Sequence, residues 1–189
     1  MKVVQIGFNK CGTTSIDYFL KKCGYKTLHW DHGKLAPRIK NNIDNKEAPF
    51  LGYEEYQCFS DMEYVTNKEF LYAFIDYYKD IDRYYDDVYF ILNVRPLEKW
   101  LKSRINHNNR TYLSRFVSIR ESNEEEVIEY WRKLWVDHIN DVKNYFQNKS
   151  NCLVFDIEKD SGDQLCKFLG VDVTLAKHYG HYHQTAITK

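Results

Sequence analysis

The stretch Gly7-Phe8-Asn9-Lys10-Cys11-Gly12-Thr13-Thr14-Ser15 gathers two glycines, a lysine and three hydroxyls into one short segment. These residue types suit the capture of an anion. Backbone N–H groups in such a turn, and at the N-terminus of a following helix, form a cradle for phosphate-like groups. Glycine lets the main chain approach the ligand closely, and Thr13, Thr14 and Ser15 can add hydroxyl donors. Gly7 and Gly12 keep the glycine spacing of the nucleotide-kinase loop GxxxxGK[ST], but Thr13 stands where that loop carries its lysine. The lysine sits instead at position 10, inside the loop, which brings an ammonium near the reacting end of a bound phosphate chain. The plainer alternative is a glycine-containing strand-to-helix turn with a surface lysine.

A second set of candidates lies in Val94-Arg95-Pro96-Leu97-Glu98-Lys99-Trp100-Leu101-Lys102-Ser103. Arg95 ends the most apolar strand of the chain, and ligands gather at the carboxyl ends of strands in open α/β sheets. Its planar fork suits a phosphate. Ser103, two helical turns further on, could add a hydroxyl. Alone, the pair reads as a surface arginine and an ordinary helix serine; beside the first loop, a two-part anion site is the better reading.

The elements that must position these residues follow from hydrophobic periodicity. Val3–Ile6 predicts a buried strand. Ser15–Lys22 predicts a helix with Ile16, Phe19 and Leu20 on one face and Gly24 as its stop. Thr27–Trp30 and Gln57–Ser60 predict further strands, and the spacing of Phe70, Leu71, Phe74 and Ile75 predicts a helix over 69–78. Val88–Val94 is the strongest strand, apolar throughout except for Asn93. Pro96 opens a helix with Trp100 and Leu101 inward. A long amphipathic helix spans 124–146, with Trp131, Trp135 and His138 on its apolar face as core residues. Leu153–Phe155 is the last strand, 164–169 a short helix ended by Gly170, 41–50 a surface loop, and 174–189 a polar tail. Strands apolar on both faces, alternating with helices, imply a three-layer α/β/α arrangement around a central parallel sheet of four to five strands.

Bulk properties narrow the function classes. The 189 residues suit one domain, taken here as 1–189. With 27 basic and 27 acidic residues the formal net charge is zero, which offers no global attraction to nucleic acid or to anionic membranes. Five scattered cysteines without a CxxC pair argue against a disulfide framework or a structural zinc site. The start lacks the apolar stretch of a signal peptide, and no window approaches a membrane span. A cytoplasmic location is the expectation.

Taken together, GFNKCGTTS and VRPLEKWLKS resemble the sulfotransferases that use 3′-phosphoadenosine 5′-phosphosulfate (PAPS), whose phosphosulfate loop carries Lys and then Gly-Thr-Thr, and whose 3′-phosphate element is an Arg followed eight residues later by a Ser. The stretch from Tyr130-Trp131 to Phe168-Leu169-Gly170 resembles that family's C-terminal half. The resemblance implies a P-loop-like fold and in-line transfer of a sulfuryl group to a hydroxyl or amine of a small-molecule or glycan acceptor, with adenosine 3′,5′-bisphosphate (PAP) as product and no metal required. It implies that Lys10 stabilises the departing phosphate. Asn9, Cys11, Gly12, Thr13, Thr14 and Ser15 would line the 5′-phosphate, and Arg95 with Ser103 would hold the 3′-phosphate. The chain departs from the family in having Asn9 where Pro is usual and Cys11 where Ser is frequent. It is also short for the family, which admits an acceptor site that is open or completed by a second copy in a homodimer.

The acceptor's proton needs a base at the mouth of the sheet. Asp61, after the third strand, resembles an Asp in one branch of the family and is narrowly preferred; His29 and His32 are the rivals. His178, His181 and His183 belong to the tail, which closes over the cofactor in the family, and are read as polar rather than as a metal cluster. A P-loop kinase is the main alternative, but it needs a lysine after Gly12 and Mg²⁺ ligands. A non-catalytic nucleotide-binding module of the same fold is the other.

Overall fold

The structure, a computed structural model, describes residues 1–180. Five parallel strands form the central sheet in the order β2-β3-β1-β6-β7: β1 is Lys2–Gln5, β2 Thr27–His29, β3 Cys58–Ser60, β6 Val88–Val94 and β7 Cys152–Asp156. Between β3 and β6 the chain adds an antiparallel pair, β4 (Glu63–Val65) and β5 (Phe70–Tyr72). The helices are α1 (Thr13–Lys22), α2 (Leu35–Asp44), α3 (Ala73–Asp76), α4 (Tyr78–Tyr84), α5 (Leu97–Ile105), α6 (Thr111–Arg120), α7 (Glu124–Tyr145) and α8 (Gly162–Leu169).

The inner strands β1, β3 and β6 are buried on both faces, while the edge strands β2 and β7 are more open. Val3 and Ile91 pack with Ile16, Phe19 and Leu20 of α1 and with Leu165 and Leu169 of α8 on one side. Val4, Phe90 and Leu92 turn the other way, into a larger core with α2 and α4 to α7. The long α7 starts with a reciprocal cap between Asn123 and Glu126 and three acidic residues in its first turn, which complement the helix dipole. His138 on this helix is a core residue: its Nε2 bonds the Ile6 carbonyl at 2.7 Å, and burial holds its pKa down at about 4.

Two local expectations are corrected. The predicted helix over 69–78 is β5 followed by α3 and the start of α4. Phe70 and Leu71 belong to the hairpin, paired with Val65 and Tyr64, and cross-strand bonding overrides their helix-like spacing. The predicted loop over 41–50 begins as the last turn of α2, because Leu35, Ala36, Ile39 and Asn42 bury one face of that helix. Helix α6 was not anticipated; Tyr112, Leu113 and Phe116 bury its inner face. Among the described residues no helix is long and apolar enough to cross a membrane.

Strand β1 and strand β6 meet most tightly at Gly7. A Cβ built there would lie 2.1 Å from the Asn93 carbonyl oxygen and 2.6 Å from its side chain, so only glycine lets the two segments close. Gly7→Ala is therefore expected to lower the unfolding free energy by about 3 kcal/mol or more, as for other overpacked sites that cannot relax. Denaturant unfolding checks this, and a loss of under about 1 kcal/mol would contradict it.

Candidate active site

The loop between β1 and α1 is built so that three successive carbonyls, at Asn9, Lys10 and Cys11, are held by protein donors. Asn93 donates from Nδ2 to the Cys11 carbonyl at 2.8 Å and accepts from the Gly7 N–H at 3.1 Å. Trp100 Nε1 donates to the Asn9 carbonyl at 3.0 Å, and Arg95 Nη1 to the Lys10 carbonyl at 3.1 Å. Three successive carbonyls are thus held from β6 and its C-terminal extension into α5. The first turn of α1 carries no side-chain cap and no acidic residue, so its orphan N–H groups are left for an external acceptor. Left-handed backbone at Lys10 and Gly12 (φ 65° and 75°) folds the loop. Glycine suits the second position because it adopts this conformation without strain, and a Cβ there would crowd Ile157 at 3.0 Å.

Not every loop residue predicted for the site can offer its side chain. Cys11 is fully buried, and burial raises its thiol pKa far above the usual range. Asn9 is buried too, its amide turned inward to Arg104 and Glu63. Neither side chain is presented to the loop's surroundings. Thr13 and Ser15 are buried, while Gly12 and Thr14 are half-buried. Lys10 is half-buried; burial lowers its pKa, the Asp61 carboxylate raises it and Arg95 lowers it further.

Arg95 stands against the same loop. Beyond its bond to the Lys10 carbonyl, its Nη2 meets Glu158 Oε1 at 3.0 Å, and its Nε is buried without a protein partner. Glu158 also takes Lys99 at 2.5 Å. The structure thus brings Lys10 and Arg95 together at one edge of the loop. Ser103 is half-buried on α5 and has no hydrogen bond to Arg95 or to the loop among the described residues.

Asp61 and His29 converge because β2 and β3 pair in parallel with His29 beside Ser60. His29 Nε2 lies 3.6 Å from Asp61 Oδ2, and its Nδ1 is 2.8 Å from Ser60 Oγ. Asp61 adopts a left-handed backbone (φ 54°), a conformation Asp tolerates better than most residues. Burial raises its pKa to about 8. The neighbouring Glu63 carboxylate acts in the same direction, against the opposing charges of Arg104 and Lys10. Burial also lowers the pKa of His29. The rival His32 is exposed on the 3-10 turn after β2, away from this pair. His178 ends a 3-10 turn, and His181 and His183 lie outside the described residues.

Several participants escaped sequence reasoning. Asn93 was visible as the one polar residue in an apolar strand, but its partners were not. His107, just beyond α5, rests its ring against Tyr112 at 5.4 Å and is held neutral, its pKa pushed down to about 4 by burial and by the charges of Lys10, Arg104 and Arg115. Glu63, Arg104 and Glu158 carried no local signal at all.

A parallel sheet whose first strand runs into an N–H-lined loop, with an ammonium inside the loop and a guanidinium at its edge, defines a P-loop-like group-transfer domain. Compared with known protein families, the chain matches the sulfotransferase domain over residues 2–124 and again over 107–186. The protein belongs to this sulfotransferase family, whose activity is the transfer of sulfate. Among curated proteins no match is found.

The electrostatics of Asp61 can be checked directly. A ¹³C NMR titration of its carboxyl carbon should show a midpoint near 8, well above the ordinary carboxylate range of about 4. A midpoint below about 5 would refute the buried, like-charged setting described here.

Proposed function

We propose that the protein transfers a sulfuryl group from PAPS to a hydroxyl or amine of a small-molecule or glycan acceptor. The observation that carries this reading is the orientation of the loop: carbonyls tied back at Asn9, Lys10 and Cys11, and free N–H groups at the start of α1 beside the Lys10 ammonium. Such a loop suits a highly charged phosphate chain. Arg95, one step away and with an unpartnered Nε, suits the second phosphate that distinguishes PAPS from ATP-like nucleotides.

The donor supplies the sulfuryl group when bound; the protein supplies position and charge. In this reading the N–H groups of Gly12, Thr13 and Thr14 hold the 5′-phosphate, and Arg95 holds the 3′-phosphate, with Ser103 nearby. The acceptor's hydroxyl proton passes to the Asp61 carboxylate as its oxygen bonds to sulfur. The sulfur–oxygen bond to the phosphate breaks, and the electron pair left on that phosphate oxygen is stabilised by Lys10. This loose, in-line course resembles phosphoryl transfer. His29 supports the assignment of Asp61 by facing its carboxylate from β2.

In a test with radiolabelled PAPS and a panel of sugar, phenol and amine acceptors, sulfate should appear on at least one acceptor class, and PAP should stabilise the protein without Mg²⁺. Lys10→Ala should cut turnover at least ~10²-fold while leaving the fold intact; full turnover in a folded variant would remove Lys10 from the reaction. Arg95→Ala should weaken PAP binding by about 10- to 100-fold, the worth of a charged hydrogen bond. Equal calorimetric affinity would remove Arg95 from the site.

A further inference from the structure

Arg104 is a buried charge that the reaction as proposed does not use. Its side chain is fully buried, and the rings of Phe8, Tyr72, Trp100, Tyr112, Phe116 and Trp131 surround its guanidinium, the nearest centroid at 4.7 Å. A lone charge in such surroundings is prohibitive without a partner. Glu63 is that partner, its Oε2 lying 3.7 Å from Arg104 Nη2.

Two side chains bridge the pair. The Asn9 amide accepts from Arg104 Nη1 and donates to Glu63 Oε1. The Tyr112 hydroxyl accepts from Arg104 Nη2 at 2.7 Å and donates to Glu63 Oε1 at 3.0 Å. Tyr72 accepts a further bond from Nη2 at 2.6 Å. Burial raises the Glu63 pKa on balance, against the charge of Arg104 and the hydrogen bonds from Tyr112 and Arg104, which favour its anion. Asn9 immediately precedes Lys10, and Glu63 follows Asp61 by two residues. One buried network therefore grips the donor loop and the acceptor-side segment together.

We infer that Glu63 and Arg104 are positioning residues acting through Asp61: the buried network that ties Asn9 to Glu63 fixes where the base stands relative to Lys10. The inference rests on the proposed role of Asp61. The groups facing that carboxylate are Lys10 from the loop after β1, His29 from β2, Glu63 from β4 and Arg104 from α5. Among them Glu63 is the like charge, so its removal favours the Asp61 anion.

The test is Glu63→Gln, which keeps the shape and an acceptor for Asn9 and Tyr112 but removes the charge. The Asp61 titration midpoint followed by ¹³C NMR should fall by about one pH unit or more. The acid limb of kcat/KM should fall with it, and PAP affinity should stay within about twofold. An unmoved midpoint and limb in a folded variant would overturn the inference. Should Glu63→Gln not fold, Glu63→Asp keeps the charge but withdraws it by one methylene. Its acid limb should stay in place while kcat drops at least ~10-fold from the misplaced base, and an unchanged kcat would overturn the inference. Asp61→Asn separates the two levels. If that variant is inactive and Glu63→Gln titrates like wild type, only the positioning role fails; full activity of Asp61→Asn removes the base assignment itself and the inference with it.

Discussion

The site depends on one constraint: three consecutive carbonyls, at Asn9, Lys10 and Cys11, are each bonded by a side chain from the β6–α5 segment. A tight loop has as many acceptors as donors, and a free carbonyl pointing at an anion would cancel an N–H beside it. Tying the carbonyls back resolves the conflict, with neutral donors at Asn9 and Cys11 and a guanidinium at Lys10. It also explains the composition of the segment that does the tying. Asn93 is a polar residue inside an otherwise apolar strand because it must both donate and accept at one buried point. Trp100 brings an indole N–H on an apolar body, and Arg95 brings a fork that can hold a carbonyl while keeping other donors for other partners.

The second support is deeper. Desolvation makes the Arg104–Glu63 pair a poor source of stability, since well-packed apolar side chains of similar volume often do as well. What an apolar filling cannot do is bond Asn9 and Tyr112 in a fixed direction. Asn9 stands where the related sulfotransferases usually have proline, and its side chain is spent wholly on this network. A proline would stiffen the loop through its ring; here the stiffness comes from hydrogen bonds that reach across the core. The loop is braced by residues on β4, α5 and α6.

The sequence made some of this legible and hid the rest for identifiable reasons. The tight loop between β1 and α1 could be read because its glycines, lysine and hydroxyls are contiguous, and β6 because its apolar run is long. Arg95 could be read because its meaning depends on its place at a strand end. The network could not. Asn9 and Arg104 are 95 positions apart, and Tyr72 and Arg104 are 32 apart. An arginine near the end of an amphipathic helix looks like any solvated cation until the surrounding rings are in place. The false helix over 69–78 has the same origin. Phe70, Leu71, Phe74 and Ile75 do carry helical spacing, but pairing of Glu63 with Tyr72 and of Val65 with Phe70 decides the backbone, and that pairing is a tertiary fact.

The balance of charge at the loop's edge bears on selectivity. With zero formal net charge the chain offers no long-range pull on a polyanion, so discrimination has to arise within contact distance. Arg95 has one donor on the Lys10 carbonyl, another on Glu158, and its buried Nε without a protein partner. Glu158 is itself shared with Lys99. An anion reaching Arg95 therefore competes with a carboxylate already in place. A second carboxylate or a hydroxyl gains little by that exchange, whereas a phosphate carries more charge and more acceptor oxygens to set against both cations. A guanidinium guarded by its own carboxylate thus prefers the more highly charged ligand, which is the preference that the proposed PAPS reading calls for.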